Sequence, residues 1–192
     1  MISLETMVIA GSGEATAPQP DLFEVRARAT VRFADPAAWV TATAVARAFS
    51  ESRNLLAPFL HQVGMVVVSD QGPAATMAEV RVAATTGFSS PLRYAASSPG
   101  SLAGVSCIAF GFRGPTLNFS MRPEQGVSVA LQMCSGWLAR GAARCMVLAT
   151  HKSNGPNAQF SRAVLLAHPD IADNFGNPFT PSITDWLSQT GN

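Results

Sequence analysis

The 192 residues are enough for one domain with a sizeable core, and their composition excludes several classes of protein. Hydrophobic residues make up 47% and charged residues only 13%, so we expect extensive burial, including burial against another subunit. The formal net charge of +1 argues against a nucleic-acid surface. No apolar stretch reaches the roughly 18 residues of a membrane span, and no signal peptide is expected. The three cysteines lie in apolar segments, which favours a reducing cytoplasm over a disulfide framework.

Residues 7–33 predict one strand followed by irregular chain. Residues 7–10 (MVIA) form a short apolar run, as in a buried strand. The Gly-Ser-Gly at residues 11–13 predicts a flexible loop, because neither a dinucleotide-binding pattern nor a Walker pattern follows it. Residues 23–33 alternate for several positions and predict an extra strand or an excursion.

Residues 35–110 predict helices on either side of a strongly apolar strand. Asp35 and Pro36 mark the start of a helix that runs towards Leu60. The other predicted elements are a buried strand at residues 65–68, helices at residues 74–84 and 101–110, and a loop at residues 85–100.

Residues 111–150 predict a strand, a sharp turn, a helix and a second strand. Side chains alternate over residues 116–121, and Pro123 then suits the first turn of a helix. Apolar residues recur with helical spacing as far as Gly141, which ends the helix. Residues 145–149 (CMVLA) predict a strand covered on both faces. Strands that alternate with helices predict an α/β fold with a mostly parallel sheet.

Residues 110–149 resemble the nucleophile region of β-ketoacyl synthases, which are members of the thiolase-like superfamily. Residues 110–115 (FGFRGP) match that family's Phe-Gly-x-Arg-Gly-Pro segment, and residues 138–149 match the end of its helix and the strand that follows. The resemblance implies a three-layer α/β/α fold with a mostly parallel five-stranded sheet, one half of a thiolase-like fold. It divides the chain into an N-terminal half domain, residues 1–168, and a C-terminal tail, residues 169–192.

The turn before the predicted helix lacks the family's nucleophilic cysteine. Counting from the Gly-Pro at residues 114–115 puts Pro123 in its place and Gly126 on the family's glycine, whereas counting back from Gly141 puts Glu124 there. The degenerate nucleophile turn therefore comprises Pro123, Glu124, Gln125 and Gly126. Because the family's second half, with its two histidines, is also missing, the resemblance implies no condensing activity by this chain alone.

Glu124 has two interpretations at this turn. An acid in the first turn of a helix complements the helix dipole, which stabilises the helix by about 0.3–1 kcal/mol. Alternatively, Glu124 and its neighbour fill the place of the thiol. The Glu124-Gln125 pair is also similar to chain-length factors, the cysteine-less partners of polyketide ketosynthases, which carry Gln at or near that turn.

The strand before the turn is the predicted subunit interface. In the resembled family two subunits pair edge to edge through it, and here it comprises Thr116, Leu117, Asn118, Phe119, Ser120 and Met121. It carries no charge, so we expect a partner strand to cover it, in a homodimer or in a heterodimer with a ketosynthase. The resemblance adds acyl carrier protein as a partner. Arg113 and Arg122 flank the strand and either contact the phosphate of the carrier arm or are surface residues.

The cysteines and histidines of the chain are expected to have structural rather than catalytic roles. The cysteines (Cys107, Cys134, Cys145) are expected to pack as small hydrophobic side chains. The histidines (His61, His151, His168) lie at ends of predicted elements and are expected to be solvated or hydrogen-bonded rather than catalytic. No metal-ligand spacing and no G-x-S-x-G elbow occurs, so we predict no metal and no cofactor.

Three functions remain open from the sequence. The first is a non-catalytic, chain-length-factor-like subunit that assists polyketide or fatty-acid-type chain assembly. The second is an acyltransferase that acts on thioesters through an unusual residue, such as Glu124 or Cys107. The third is a structural homodimer without pathway chemistry.

Overall fold

Strands and helices alternate through most of the chain. A computed structural model describes residues 7–87, 90–155, 158–174 and 182–189. Its strands are β1 Val8–Ala15, β2 Val63–Ser69, β3 Thr116–Ser120, β4 Cys145–Ser153 and β5 Gln159–Ala167. Its α-helices are α1 Val25–Thr30, α2 Pro36–Phe49, α3 Arg53–Leu56, α4 Ala74–Thr85, α5 Pro91–Ala96, α6 Ser101–Phe110, α7 Pro123–Ala139 and α8 Ile183–Ser188.

The five strands form one mixed sheet in the order β1-β5-β4-β2-β3. β2 is parallel to both of its neighbours, β3 and β4. β5 is antiparallel to β4 and to β1. The prediction of five strands is confirmed, but the prediction of a mostly parallel sheet is wrong. β4 and β5 are joined by a hairpin, which is far too short for the crossover that parallel strands need.

Helices cover both faces of the sheet, which confirms the three-layer α/β/α architecture. Side chains of a strand point alternately to opposite faces. In β2, Met65 and Val67 join the hydrophobic cluster under α2 and α6, whereas Val66 and Val68 join the cluster under α7 and α8. Every residue of β2 is buried, so the strand runs through the centre of the domain.

The glycines of the predicted loop at residues 11–13 lie within β1 instead. A Cβ atom at Gly11 would lie 2.2 Å from the Ala48 carbonyl oxygen, and one at Gly13 would lie 2.4 Å from the Ala44 carbonyl oxygen. The backbone of α2 therefore packs directly against the backbone of β1. The glycines serve close packing here, and the prediction of a flexible loop is wrong.

Three local predictions also differ from the structure. The alternating residues 23–33 contain the short helix α1, because the Arg and Ala residues that alternate there are strong helix formers. The long helix that starts after Asp35 ends at Phe49 and is followed by α3 and a 3-10 helix. The predicted loop at residues 85–100 contains α5, which begins at Pro91 in the position where proline suits a helix.

The elements around the turn are as predicted. β3 and α7 match the predicted strand and helix to within a residue, and α6 matches at both ends. β4 extends beyond the predicted strand, so that His151 lies within the strand and not at its end. Among the described residues, no helix is long and apolar enough to cross a membrane.

Candidate functional site

The turn between β3 and α7 lies at the carboxyl edge of the parallel strands. Ser69 of β2 pairs in register with Ser120 of β3 and with His151 of β4, so β2 and β3 end together and β4 continues for two residues beyond them. In open α/β sheets this edge is where ligands bind. Pro123 occupies the first turn of α7 and is buried, so it holds the turn in place without offering a reactive group.

Glu124 forms an ion pair with a residue that the sequence analysis missed. Its carboxylate contacts the Nζ atom of Lys152 on β4, and the same Nζ donates a hydrogen bond to the Ser188 carbonyl oxygen at 2.9 Å. The Lys152 side chain is only 13% exposed. Burial lowers the pKa of Lys152, and the positive charges of Arg122 and Arg162 lower it further, although Asp70 acts in the opposite direction. The acid at the turn is therefore held by a cation.

Lys152 also belongs to a set of side chains that bind the end of α8. The last carbonyl oxygens of a helix have no partner within the helix, and cations there complement its dipole. Three successive carbonyl oxygens of α8, those of Trp186, Leu187 and Ser188, accept hydrogen bonds from Arg162, Thr150 and Lys152 respectively. Ile183 and Leu187 of α8 are buried in the α7-side cluster. This part of the predicted tail thus covers the sheet beside the turn.

Cys107 and Arg113 lie at the other end of β3. The Sγ atom of Cys107 is 3.8 Å from the Oγ1 atom of Thr116, the first residue of that strand. Arg113 precedes the strand, whereas Arg122 and Glu124 follow its last residue. A five-residue strand spans about 16 Å, so a single phosphate group cannot contact both arginines. Only Arg122 lies beside the turn.

β3 forms one edge of the sheet and pairs with β2 alone among the described residues. Leu117 and Phe119 are half-buried and pack against the α7-side cluster. Asn118 points to the other face, and its side-chain oxygen is buried without a hydrogen bond. Buried polar atoms rarely stay unbonded in folded proteins. The free edge of β3 is typical of a strand that pairs with a partner.

The other candidate nucleophiles are poorly suited to catalysis. Cys134 and Cys145 are fully buried, and burial raises the pKa of each thiol to about 12. Cys107 is half-buried, and burial raises its pKa too, against a smaller opposite effect from its contact with Thr116. A cysteine attacks as a thiolate, so these environments oppose reactivity. The described residues contain no group of three or more His, Cys, Asp or Glu side chains that could hold a metal ion.

His151 is the most deeply buried of the three histidines. Its ring is 1% exposed and its Nδ1 atom lies 3.0 Å from the Oγ atom of Ser69. Burial lowers the pKa of His151, although the charges of Asp70 and Asp35 and a contact with Gln159 raise it in part. The ring therefore favours its neutral form.

Protonation of His151 should destabilise the folded protein at acidic pH. The pKa of His151 is lower in the folded chain than its ordinary value of 6.5, so the unfolded chain binds more protons as the pH falls. The stability contributed by the neutral ring is present above pH 6.5 and is lost as the pH falls through that value. We expect His151→Gln to flatten the decrease in the free energy of unfolding between about pH 7.5 and pH 5.5, where one such group contributes at most about 1.4 kcal/mol per pH unit. Urea denaturation at several pH values measures it, and parallel curves for the two proteins would contradict the assignment.

The mixed five-stranded sheet with helices on both faces is similar to the fold of solved ketosynthases. The sequence itself matches no protein-family model and no curated protein. Solved structures match it at probability 1.00. A β-ketoacyl synthase from Burkholderia phymatum STM815 has a TM-score of 0.72 at 13% identity, over 88% of this chain and 60% of that chain.

Two complexes extend this comparison. One is a type II polyketide synthase acyl-carrier protein in complex with its ketosynthase bound to the hexaketide, with a TM-score of 0.69, 14% identity, and coverage of 88% of this chain and 65% of that chain. The other is a ketosynthase in complex with its chain length factor from Xenorhabdus doucetiae, with a TM-score of 0.58, 16% identity, and coverage of 85% of this chain and 79% of that chain. The chain thus spans less than two thirds of the first of these and of the Burkholderia enzyme, and the likeness establishes the fold.

Proposed function

We propose that this chain is a non-catalytic, chain-length-factor-like subunit that assists polyketide or fatty-acid-type chain assembly in the cytoplasm. The observation that carries the proposal is the turn at the carboxyl edge of the sheet. By the resemblance, either Pro123 or Glu124 would stand where a ketosynthase has its cysteine, and Lys152 holds the Glu124 carboxylate in an ion pair. The presence of a carrier protein and of a chain length factor in two of the similar structures supports the choice of pathway.

The partner would be a catalytic ketosynthase, with a second copy of this chain as the alternative. The free edge of β3 favours pairing with another strand. Ile108 of α6, a helix that contacts β3, is also exposed, as are Met77, Val82, Leu92 and Tyr94 of α4 and α5. Exposed apolar side chains of this size can contribute to an interface. A stable complex would bury about 1,200 Å² or more in total.

The carrier protein would approach the carboxyl edge of the sheet, where the turn before α7 lies. Arg122 is exposed beside the turn and supplies a cation for a phosphate group. Arg113 lies at the opposite end of β3 and would contact a different part of the carrier protein or only solvent. The contact of Arg122 with the phosphate of the carrier arm stays a prediction.

A cysteine alone should not restore condensation. Thiolate attack needs a base within hydrogen-bond reach, and the histidine nearest in the sheet, His151, points to the opposite face from its neighbour Lys152. We expect Pro123→Cys and Glu124→Cys to show no turnover of malonyl thioesters, measured as release of carbon dioxide. A thiol-specific reagent serves as the control that each new cysteine is accessible. Turnover by the wild-type chain would contradict the non-catalytic assignment.

The proposed partnership is tested by co-purification. The tagged chain is expressed with a ketosynthase encoded beside its gene, and the mass of the purified complex is measured by sedimentation. A one-to-one complex is the expected result. A stable homodimer that binds no ketosynthase would favour the structural homodimer instead.

A further inference from the structure

We propose that α8 is a strap beside the turn before α7, which detaches without unfolding of the domain, and that Lys152 couples its docking to the turn. The Nζ atom of Lys152 contacts the Glu124 carboxylate at the start of α7. The same atom donates a hydrogen bond to the Ser188 carbonyl oxygen, at 2.9 Å, at the end of α8. One ammonium group thus joins two elements that are far apart in the chain. The inference rests on these contacts and holds for any partner that binds at the turn, so it goes beyond the proposed function.

α8 is too short to be stable as a helix on its own. It has six residues, whereas isolated helices shorter than about 12–15 residues are marginal in water. α8 is therefore helical only while it is docked. Its buried residues are Ile183 and Leu187. An element with so few buried side chains is expected to open locally, at a lower free energy than the buried strands of the sheet.

Three side chains of the sheet bind the carboxyl end of α8, and one of them connects it to the turn. Thr150 and Lys152 lie two residues apart on β4, and Arg162 pairs with Thr150 across β5, so all three project from the same face of the sheet. The Arg162 side chain also pairs with Glu14 of β1, away from the turn. The Lys152 side chain pairs with Glu124 instead. Lys152 is therefore the contact through which the turn and α8 affect each other.

The chemistry of lysine suits this double contact. Lys152 is the only lysine of the chain, which otherwise uses arginine as its basic residue. An ammonium group has three N–H donors that can point to acceptors in different directions, whereas the donors of a guanidinium group lie in one plane. The Glu124 carboxylate holds the Nζ atom beside the end of α8. The bond to the Ser188 carbonyl oxygen then forms with little further loss of side-chain freedom, so the two contacts reinforce each other.

Coupling of this kind is reciprocal. A partner that takes Glu124 or Lys152 into a new contact loosens α8. Docked α8, in turn, stabilises the ion pair between these two residues. The end of the chain thereby responds to the occupancy of the turn.

Hydrogen exchange measures the opening of α8. The Trp186 backbone N–H donates to the Ser182 carbonyl oxygen at 2.9 Å, and the Gln189 backbone N–H donates to the Asp185 carbonyl oxygen at 3.1 Å. These amides exchange when α8 opens, whereas the amides of the buried strand β2 report unfolding of the domain. We expect exchange in α8 to be at least about tenfold faster than in β2. Equal rates would show that α8 opens only with the whole domain and would overturn the proposal of a strap.

Two substitutions at ion pairs test the coupling. Glu124→Gln preserves the size of the side chain and removes its charge, and it should raise the exchange rate in α8 by about two- to fivefold, the effect of a partly exposed ion pair. Glu79→Gln is the matched control, because Glu79 is similarly exposed and pairs with Arg93 between α4 and α5. This control should leave the exchange rate in α8 unchanged.

Removal of the lysine tests the route of the coupling. Lys152→Met loses the bond to the Ser188 carbonyl oxygen as well as the ion pair, so exchange in α8 should rise by about tenfold or more. In Lys152→Met, the additional change Glu124→Gln should have no effect, because the two residues act through one contact. An unchanged rate in the single variant Glu124→Gln would overturn the coupling. A further rise in the double variant would overturn the assignment of Lys152 as its route.

Discussion

Gly126→Ala should lower the free energy of unfolding by about 1–3 kcal/mol, the usual cost of overpacking a core. A Cβ atom at Gly126 would lie 2.5 Å from the Cγ1 atom of Val68 and 2.9 Å from the Cγ atom of Met121. Val68 is fully buried in β2, so it has no room to move aside. The close approach of α7 to β2 at this glycine fixes the position of the whole turn. Urea denaturation of the variant and the wild type measures the loss.

The same helix provides the matched control. A Cβ atom at Gly136 would lie 3.2 Å from the Nη1 atom of Arg140, the flexible end of a long side chain on an exposed residue. Alanine is a better helix former than glycine by about 0.8–1 kcal/mol, so Gly136→Ala should be neutral or stabilising. Equal effects of the two substitutions would show that the close packing at Gly126 is not what holds the turn.

Asn118→Lys should weaken association with the partner subunit by a factor of about a hundred or more. In the complex the new ammonium group would be buried at mid-strand without a counter-ion, which costs about 3–5 kcal/mol. Each 1.4 kcal/mol corresponds to a tenfold change in the dissociation constant. Sedimentation of the variant and the wild type with the ketosynthase, and of each alone, measures the change.

Asn54→Lys is the control for added charge. Asn54 is exposed on α3, next to Ser52, whose hydroxyl bonds to the Ala10 carbonyl oxygen of β1 at the opposite edge of the sheet. This substitution should leave association unchanged. If the wild type is monomeric at micromolar concentration and binds no ketosynthase, the proposed role of β3 is wrong.

The sequence predicts those parts of the fold that depend on local pattern. The alternation before Arg122, the proline at the start of α7 and the apolar run of β2 are local signals, and the structure has a strand, a helix and a buried strand at these places. The resemblance around residues 110–115 gives the layer architecture as well. Together these signals located the turn correctly between β3 and α7.

The parts of the fold and of the site that the sequence does not predict depend on contacts between residues far apart in the chain. The Gly-Ser-Gly sequence at residues 11–13 by itself predicts a loop. Only its contact with the alanines of α2, which lie far from it in the chain, explains why glycines occur within a strand. Lys152 ends an apolar strand, and nothing near it in sequence indicates its partners, Glu124 and the carbonyl oxygen of Ser188. Neither the pairing of β5 with β4 and β1 nor the position of α8 has a local signal.

The most direct test of the central claim is chain elongation in a reconstituted system. The ketosynthase, its carrier protein and a malonyl donor are assayed with this chain and without it, and the length of the acyl products is measured by mass spectrometry. We predict that the chain alone yields no product and that elongation to a defined length requires both subunits. Condensation by the chain alone, or identical products from the ketosynthase without it, would contradict the assignment as a non-catalytic partner.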